Sequence, residues 1–81
     1  MTHPQAAPLP VPIPASRALG EAESDALRAY RDLSPFRVEI RLEDDGWHVD
    51  YELKDARLQG GGPHYVIDAT TGRIIHKRYE Q

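Results

Sequence analysis

The chain has 81 residues, 40% of them hydrophobic and 28% charged, with a formal net charge of -3. That length suits one domain and excludes a fold that needs about 200 residues. No apolar run approaches the ~20 residues of a membrane span, the negative balance argues against a basic nucleic-acid footprint, and the lack of cysteine excludes disulfides, thiol catalysis and thiolate metal sites.

Taken in chain order, residues 1–16 come first. They hold five of the seven prolines, Pro4, Pro8, Pro10, Pro12 and Pro14, interleaved with Leu, Val and Ile. The stretch has neither a basic n-region nor a continuous apolar h-region, so it does not read as a signal peptide. A flexible, extended leader and a cytoplasmic location are expected. Residues 17–81 are then the single folded domain. A domain of that size is marginal without disulfides, so good packing, a protein partner or a homodimer is expected to support it.

Ala18 to Leu33 read as a helix, with Ala18, Ala22, Ala26 and Ala29 and Leu19, Leu27, Tyr30 and Leu33 along an apolar stripe. Ser16 or Ser24 is its candidate cap, and Pro35 ends it. Phe36 to Glu43 alternates strictly: Phe36, Val38, Ile40 and Leu42 face one way, and Arg37, Glu39, Arg41 and Glu43 the other, as in a half-buried antiparallel strand. Asp44-Asp45-Gly46 predicts a tight turn, with Asp-Gly supplying positive φ. Trp47 to Lys54 alternates again, with Trp47, Val49, Tyr51 and Leu53 opposite His48, Asp50, Glu52 and Lys54. Asp55 to Pro63, containing Gly60-Gly61-Gly62, is a loop. His64 to Ala69 and Arg73 to Tyr79 are two further strands around Thr70-Thr71-Gly72, with Ile75 and Tyr79 on one side of the last strand and Ile74, His76 and Arg78 on the other. The expected fold is α+β in two layers: one N-terminal helix packed on a curved antiparallel sheet of three to four strands, an α-β-β-β-β meander.

The polar faces of the first two strands bear mixed charge. Such a face is either an ordinary solvated surface or a docking surface, where charge arrangement sets specificity and on-rate. The binding candidates are Arg37, Glu39, Arg41, His48, Asp50 and Glu52, with Gly61 and His64 in and beside the glycine loop. Enzyme readings find little. His48, His64 and His76 come from three strands but lack short metal-ligand spacing, and Asp50 and Glu52 are better explained as paired surface charges than as an acid–base pair. The glycine run lacks the Gly-Lys-Ser/Thr ending of a phosphate loop, and Trp47, Tyr51, Tyr65 and Tyr79 are expected in the core, not as base-stacking platforms. No catalytic residue, metal, cofactor, nucleic acid or membrane is expected.

Pro35-Phe36, Gly46-Trp47-His48-Val49, the glycine run at 60–62 and the closing Tyr65-Val66-Ile67-Asp68 … Thr71-Gly72-Arg73-Ile74-Ile75 occur in an order that resembles a known family. It is that of the short immunity proteins with a nuclear-transport-factor-two-like (cystatin-like) fold, from bacterial polymorphic toxin systems. The resemblance covers roughly residues 18–79. It implies a non-enzymatic protein that neutralises a cognate toxin by binding it. Phe36, Trp47, Val49, Ile67, Gly72 and Ile74, the matching positions, are core and turn positions; toxin-contacting residues do not carry over. The closing hairpin also resembles PepSY-type domains, which implies an inhibitory or regulatory module as the alternative, and an accessory role remains a third.

Overall fold

The structure, a computed structural model, describes residues 11–80. Helix α1 (Ala15–Ala29) is followed by strands β1 (Phe36–Glu43), β2 (Gly46–Leu53), β3 (Pro63–Ile67) and β4 (Ile74–Tyr79). The strands form one antiparallel sheet in the order β1-β2-β3-β4, and α1 packs across β2 and β3. This is the expected α+β meander. The period-2 alternation places the two long strands to within a residue.

The core is asymmetric in its chemistry. The helix contributes Ala18, Ala22 and Ala26, all fully buried, and the sheet contributes the bulk, Val49, Tyr51, Tyr65 and Ile67. Small residues on α1 let its backbone sit close over the large side chains of β2 and β3, so layers of unequal size interlock. Leu19, Leu33, Phe36, Ile40, Trp47 and Ile74 pack at the margin. The outer strands are covered less: Val38 and Leu42 of β1 are 39% and 48% exposed.

The helix differs from expectation at both ends. It begins at Ala15, with Pro14 in the N-cap position and no side-chain cap, so neither Ser16 nor Ser24 caps it. It stops at Ala29, short of Leu33, because Tyr30 turns to an extended conformation. There its hydroxyl donates to the Glu80 carbonyl at 2.9 Å, and its ring meets Phe36 and Tyr79 edge-on. Asp32 then closes a turn by accepting from the Ser34 N–H at 3.0 Å. Leu27 and Ala29, expected on the apolar stripe, are exposed.

Of the expected leader, residues 1–10 lie outside the described residues. Ile13, within it, belongs to the core. Its N–H donates to the Ala69 carbonyl at 2.7 Å and its carbonyl accepts from Trp47 Nε1 at 2.9 Å, so this short segment straps the start of α1 to the sheet.

One turn and one strand pairing also differ. Among the described residues none other than glycine has positive φ, so the β1–β2 turn is made by Asp44 and Asp45 without it, and Gly46 opens β2 at φ 134°. A Cβ there would collide with the Ile67 carbonyl of β3. In β4 the pairing runs Val66↔His76 and then Ile67↔Ile74, leaving Ile75 as an extra residue in a β-bulge. The bulge turns Ile74 to the core and leaves Ile75 56% exposed, the reverse of simple alternation. Tyr79 faces the helix layer as expected but stays 43% exposed.

Candidate protein-binding face

The face of the sheet away from α1 carries charge across all four strands. Strand register sets Arg37 opposite Glu52, Glu39 opposite Asp50 and Arg41 opposite His48. It continues the rows from Asp50 to His64 and from His64 to Arg78. Cross-strand neighbours on one face lie close enough to pair; Arg37 pairs directly across with Glu52 and Asp50 with His64, whereas Glu39 and Asp50 set two acids side by side and Arg41 reaches diagonally to Asp50.

Arg37 donates to Glu52 Oε2 at 2.5 Å and to Glu39 Oε1 at 2.7 Å. Arg41 donates through Nε to Glu43 at 3.0 Å and through Nη1 to Asp50 Oδ2 at 3.1 Å. The other oxygen of Asp50 lies 2.8 Å from His64 Nδ1. His64 Nε2 sits 3.3 Å from Glu80 Oε1, without hydrogen-bond alignment, and that oxygen accepts from Arg78 Nη2 at 3.2 Å. The result is a continuous chain, Glu43–Arg41–Asp50–His64–Glu80–Arg78, spanning the sheet. Asp50 and His64, each 18% exposed in the side chain, form its shielded centre; Arg37, Arg41 and Glu52 are much more open.

Six of the eight candidate residues, Arg37, Glu39, Arg41, Asp50, Glu52 and His64, belong to these contacts. His48 is set slightly apart, its Nε2 lying 2.6 Å from Asp45 and 3.5 Å from Glu43. That contact holds the Asp45 carboxyl below its usual range. Gly61 enters through the loop: together with Glu52, His64 and Glu80 it lines a cleft of about 380 Å³ under residues 55–61. A Cβ at Gly61 would meet the Glu80 carboxylate, the movable end of a flexible side chain, so the loop lies directly against the end of the charge chain.

The other face holds a polar cluster that composition and spacing did not single out. Asp25, buried in α1, accepts from Tyr65 at 2.9 Å, from Tyr79 at 2.5 Å and from Lys77 Nζ at 3.0 Å. Burial alone would push its carboxyl up, but the bonds from Tyr79, Lys77 and Tyr65 outweigh it and the pKa lies below the ordinary value. Burial and the Asp25 charge push the Tyr65 hydroxyl strongly up. The available signal was an acid inside an alanine stripe, between Ala22 and Ala26. The cluster pins α1 to β3 and β4 and leaves little of Asp25 accessible to a ligand.

His48, His64 and His76 do not assemble into a ligand set among the described residues. The group close enough to share a cation is Glu43, Asp45 and His48, with ligating atoms within 4.8 Å of one another at the exposed hairpin end. No helix among the described residues is long and apolar enough to cross a membrane. Compared with known proteins, the chain matches no family model, no curated protein and no solved structure.

Proposed function

We propose that this chain is a non-enzymatic, cytoplasmic binding protein, an immunity protein that neutralises a cognate bacterial toxin by direct contact through the open face of its sheet. The observation that carries this reading is the chain of charged and polar side chains in contact across four strands, with His64 between Asp50 and Glu80. Its side chains are already held by one another, so a partner would order few of them on binding, and pre-organisation of that kind favours affinity. Alternating signs on a broad surface favour selection of one complementary partner over others. The order of elements, with a Gly-rich loop before the closing hairpin, accords with the resemblance to immunity proteins of the cystatin-like fold. The binding residues are Arg37, Glu39, Arg41, His48, Asp50 and Glu52, with Gly61 and His64 at the cleft.

The closing hairpin supports a second reading. Asp68 Oδ1 accepts the N–H groups of Thr70 and Thr71, giving the Ile-Asp … Thr-Gly-x-Ile turn of PepSY-type inhibitory modules a physical role here. Growth rescue separates the two. The reading frame beside this gene is induced in a heterologous bacterium with and without this chain. Toxicity relieved only by this chain supports the immunity reading. A harmless neighbour, or toxicity that persists, removes it and leaves the regulatory module.

A further inference from the structure

We propose that β1 is a self-association edge: two copies of this chain join by antiparallel pairing of their β1 strands about Ile40, fusing two four-stranded sheets into one. β1 is the first strand of the sheet, so one side of its backbone has no strand partner among the described residues. The hydrogen-bond phase identifies which groups are free. Lys54 N–H donates to the Pro35 carbonyl, whereas the Tyr51 carbonyl, on the residue opposite Val38, accepts from Gly62. Odd residues of β1 therefore bond to β2, and Phe36, Val38, Ile40 and Leu42 direct their N–H and C=O groups to the open edge.

The two edges of the sheet are treated differently by the sequence. β4 carries a bulge and Lys77, both of which discourage edge pairing. β1 runs eight residues in unbroken register, with no proline, glycine, lysine or bulge.

Charge then selects the register and the occupant. With Ile40 at the two-fold axis, Arg37 faces Glu43 of the second copy and Glu39 faces its Arg41, and the same pairs recur by symmetry. Moving the axis one residue, to Glu39 or Arg41, sets like charges against each other. On the opposite face the Ile40 register brings half-exposed Val38 against Leu42 of the second copy. A pattern of alternating sign on one side and apolar on the other is thus complementary to itself. The contact is one strand pair, well under a standard interface of about 1,600 Å², so the dimer is expected to be weak and to form in the micromolar to millimolar range. The sheet face proposed above for a toxin stays open in it.

Sedimentation equilibrium of the full chain across that range tests the proposal. A monomer–dimer equilibrium without larger species is expected. Glu39→Arg and Arg41→Glu should each weaken association roughly tenfold or more through like-charge contact, and the double variant Glu39→Arg/Arg41→Glu should recover most of it. Because the chain has no cysteine, register is read separately: Glu39→Cys mixed with Arg41→Cys should form a disulfide-linked heterodimer faster than either variant alone. A monomer at every concentration, a dimer indifferent to Glu39→Arg, or cross-linking no faster in the mixture would each overturn the proposal. A monomer whose Val38, Ile40 and Leu42 amides resist exchange would do so too, by assigning the edge to another segment of the same chain.

Discussion

Asp25 shows how one side chain can couple three elements. Its carboxylate, buried under α1, receives Tyr65 and Lys77 from neighbouring strands together with Tyr79. Asp25→Ala would leave the fully buried Tyr65 without that partner, and an unsatisfied buried hydroxyl costs about 1–3 kcal/mol; urea denaturation near neutral pH should show a loss of that size. The pH dependence has a definite sign. The folded pKa lies below the ordinary 3.8, so the stabilisation is fully present above that value and is lost as pH falls through the lower, folded one. Asp25→Asn should therefore be less stable near neutrality but lose less stability on acidification than the parent, and parallel acid titrations of the two would contradict the coupling. Gly46 is a second single-residue constraint. At φ 134°, and with a Cβ directed at the Ile67 carbonyl, Gly46→Ala should destabilise by more than ~1 kcal/mol. A melting temperature equal to that of the parent would show that β3 gives way without cost.

At the scale of elements, the strap around Ile13 is the contact most open to test. Trp47 Nε1 donates to the Ile13 carbonyl at 2.9 Å while the Ile13 N–H is held by Ala69. Trp47→Phe keeps most of the ring but removes the donor, and should cost about 0.5–1.5 kcal/mol and speed exchange of the Ile13 amide. Unchanged exchange would mean that the strap is held by packing alone. The same contacts explain what sequence could and could not convey. β1 and β2 were legible because Phe36–Glu43 and Trp47–Leu53 alternate without a break, and alternation placed Arg37, Glu39, Arg41, Asp50 and Glu52 on one face. Ile13 was not legible, since a proline-flanked apolar residue carries no period and its partners are 34 and more residues away. The end of α1 at Tyr30 depends on Glu80, 50 residues on. The bulge at Ile75 broke a pattern that pure alternation continues through. His64 and the side of the last strand that carries Arg78 could be read directly, but their link through Glu80 was hidden, since Glu80 lies beyond the last alternating segment.

The whole molecule divides its labour between two faces. Alanines on α1 and large side chains on β2 and β3 make a small core, and the Asp25 cluster fixes the helix to it. The opposite face is left to charges that pair with one another, centred on Asp50 and His64. That separation lets surface charge vary without disturbing the core, which suits a protein selected for recognising one partner. It also makes the functional claim testable without unfolding the chain. The most direct measurement is calorimetric titration of the protein encoded beside this gene, in an inactivated form, against the parent chain and the Asp50→Lys/Glu52→Lys variant, with melting curves to confirm that both are folded. The account predicts a tight complex for the parent and an affinity lower by roughly tenfold or more for the variant, since reversing both charges opposes encounter and pairing. Equal affinities would contradict the open sheet face as the binding surface, and the absence of any complex with the parent would contradict the immunity reading itself.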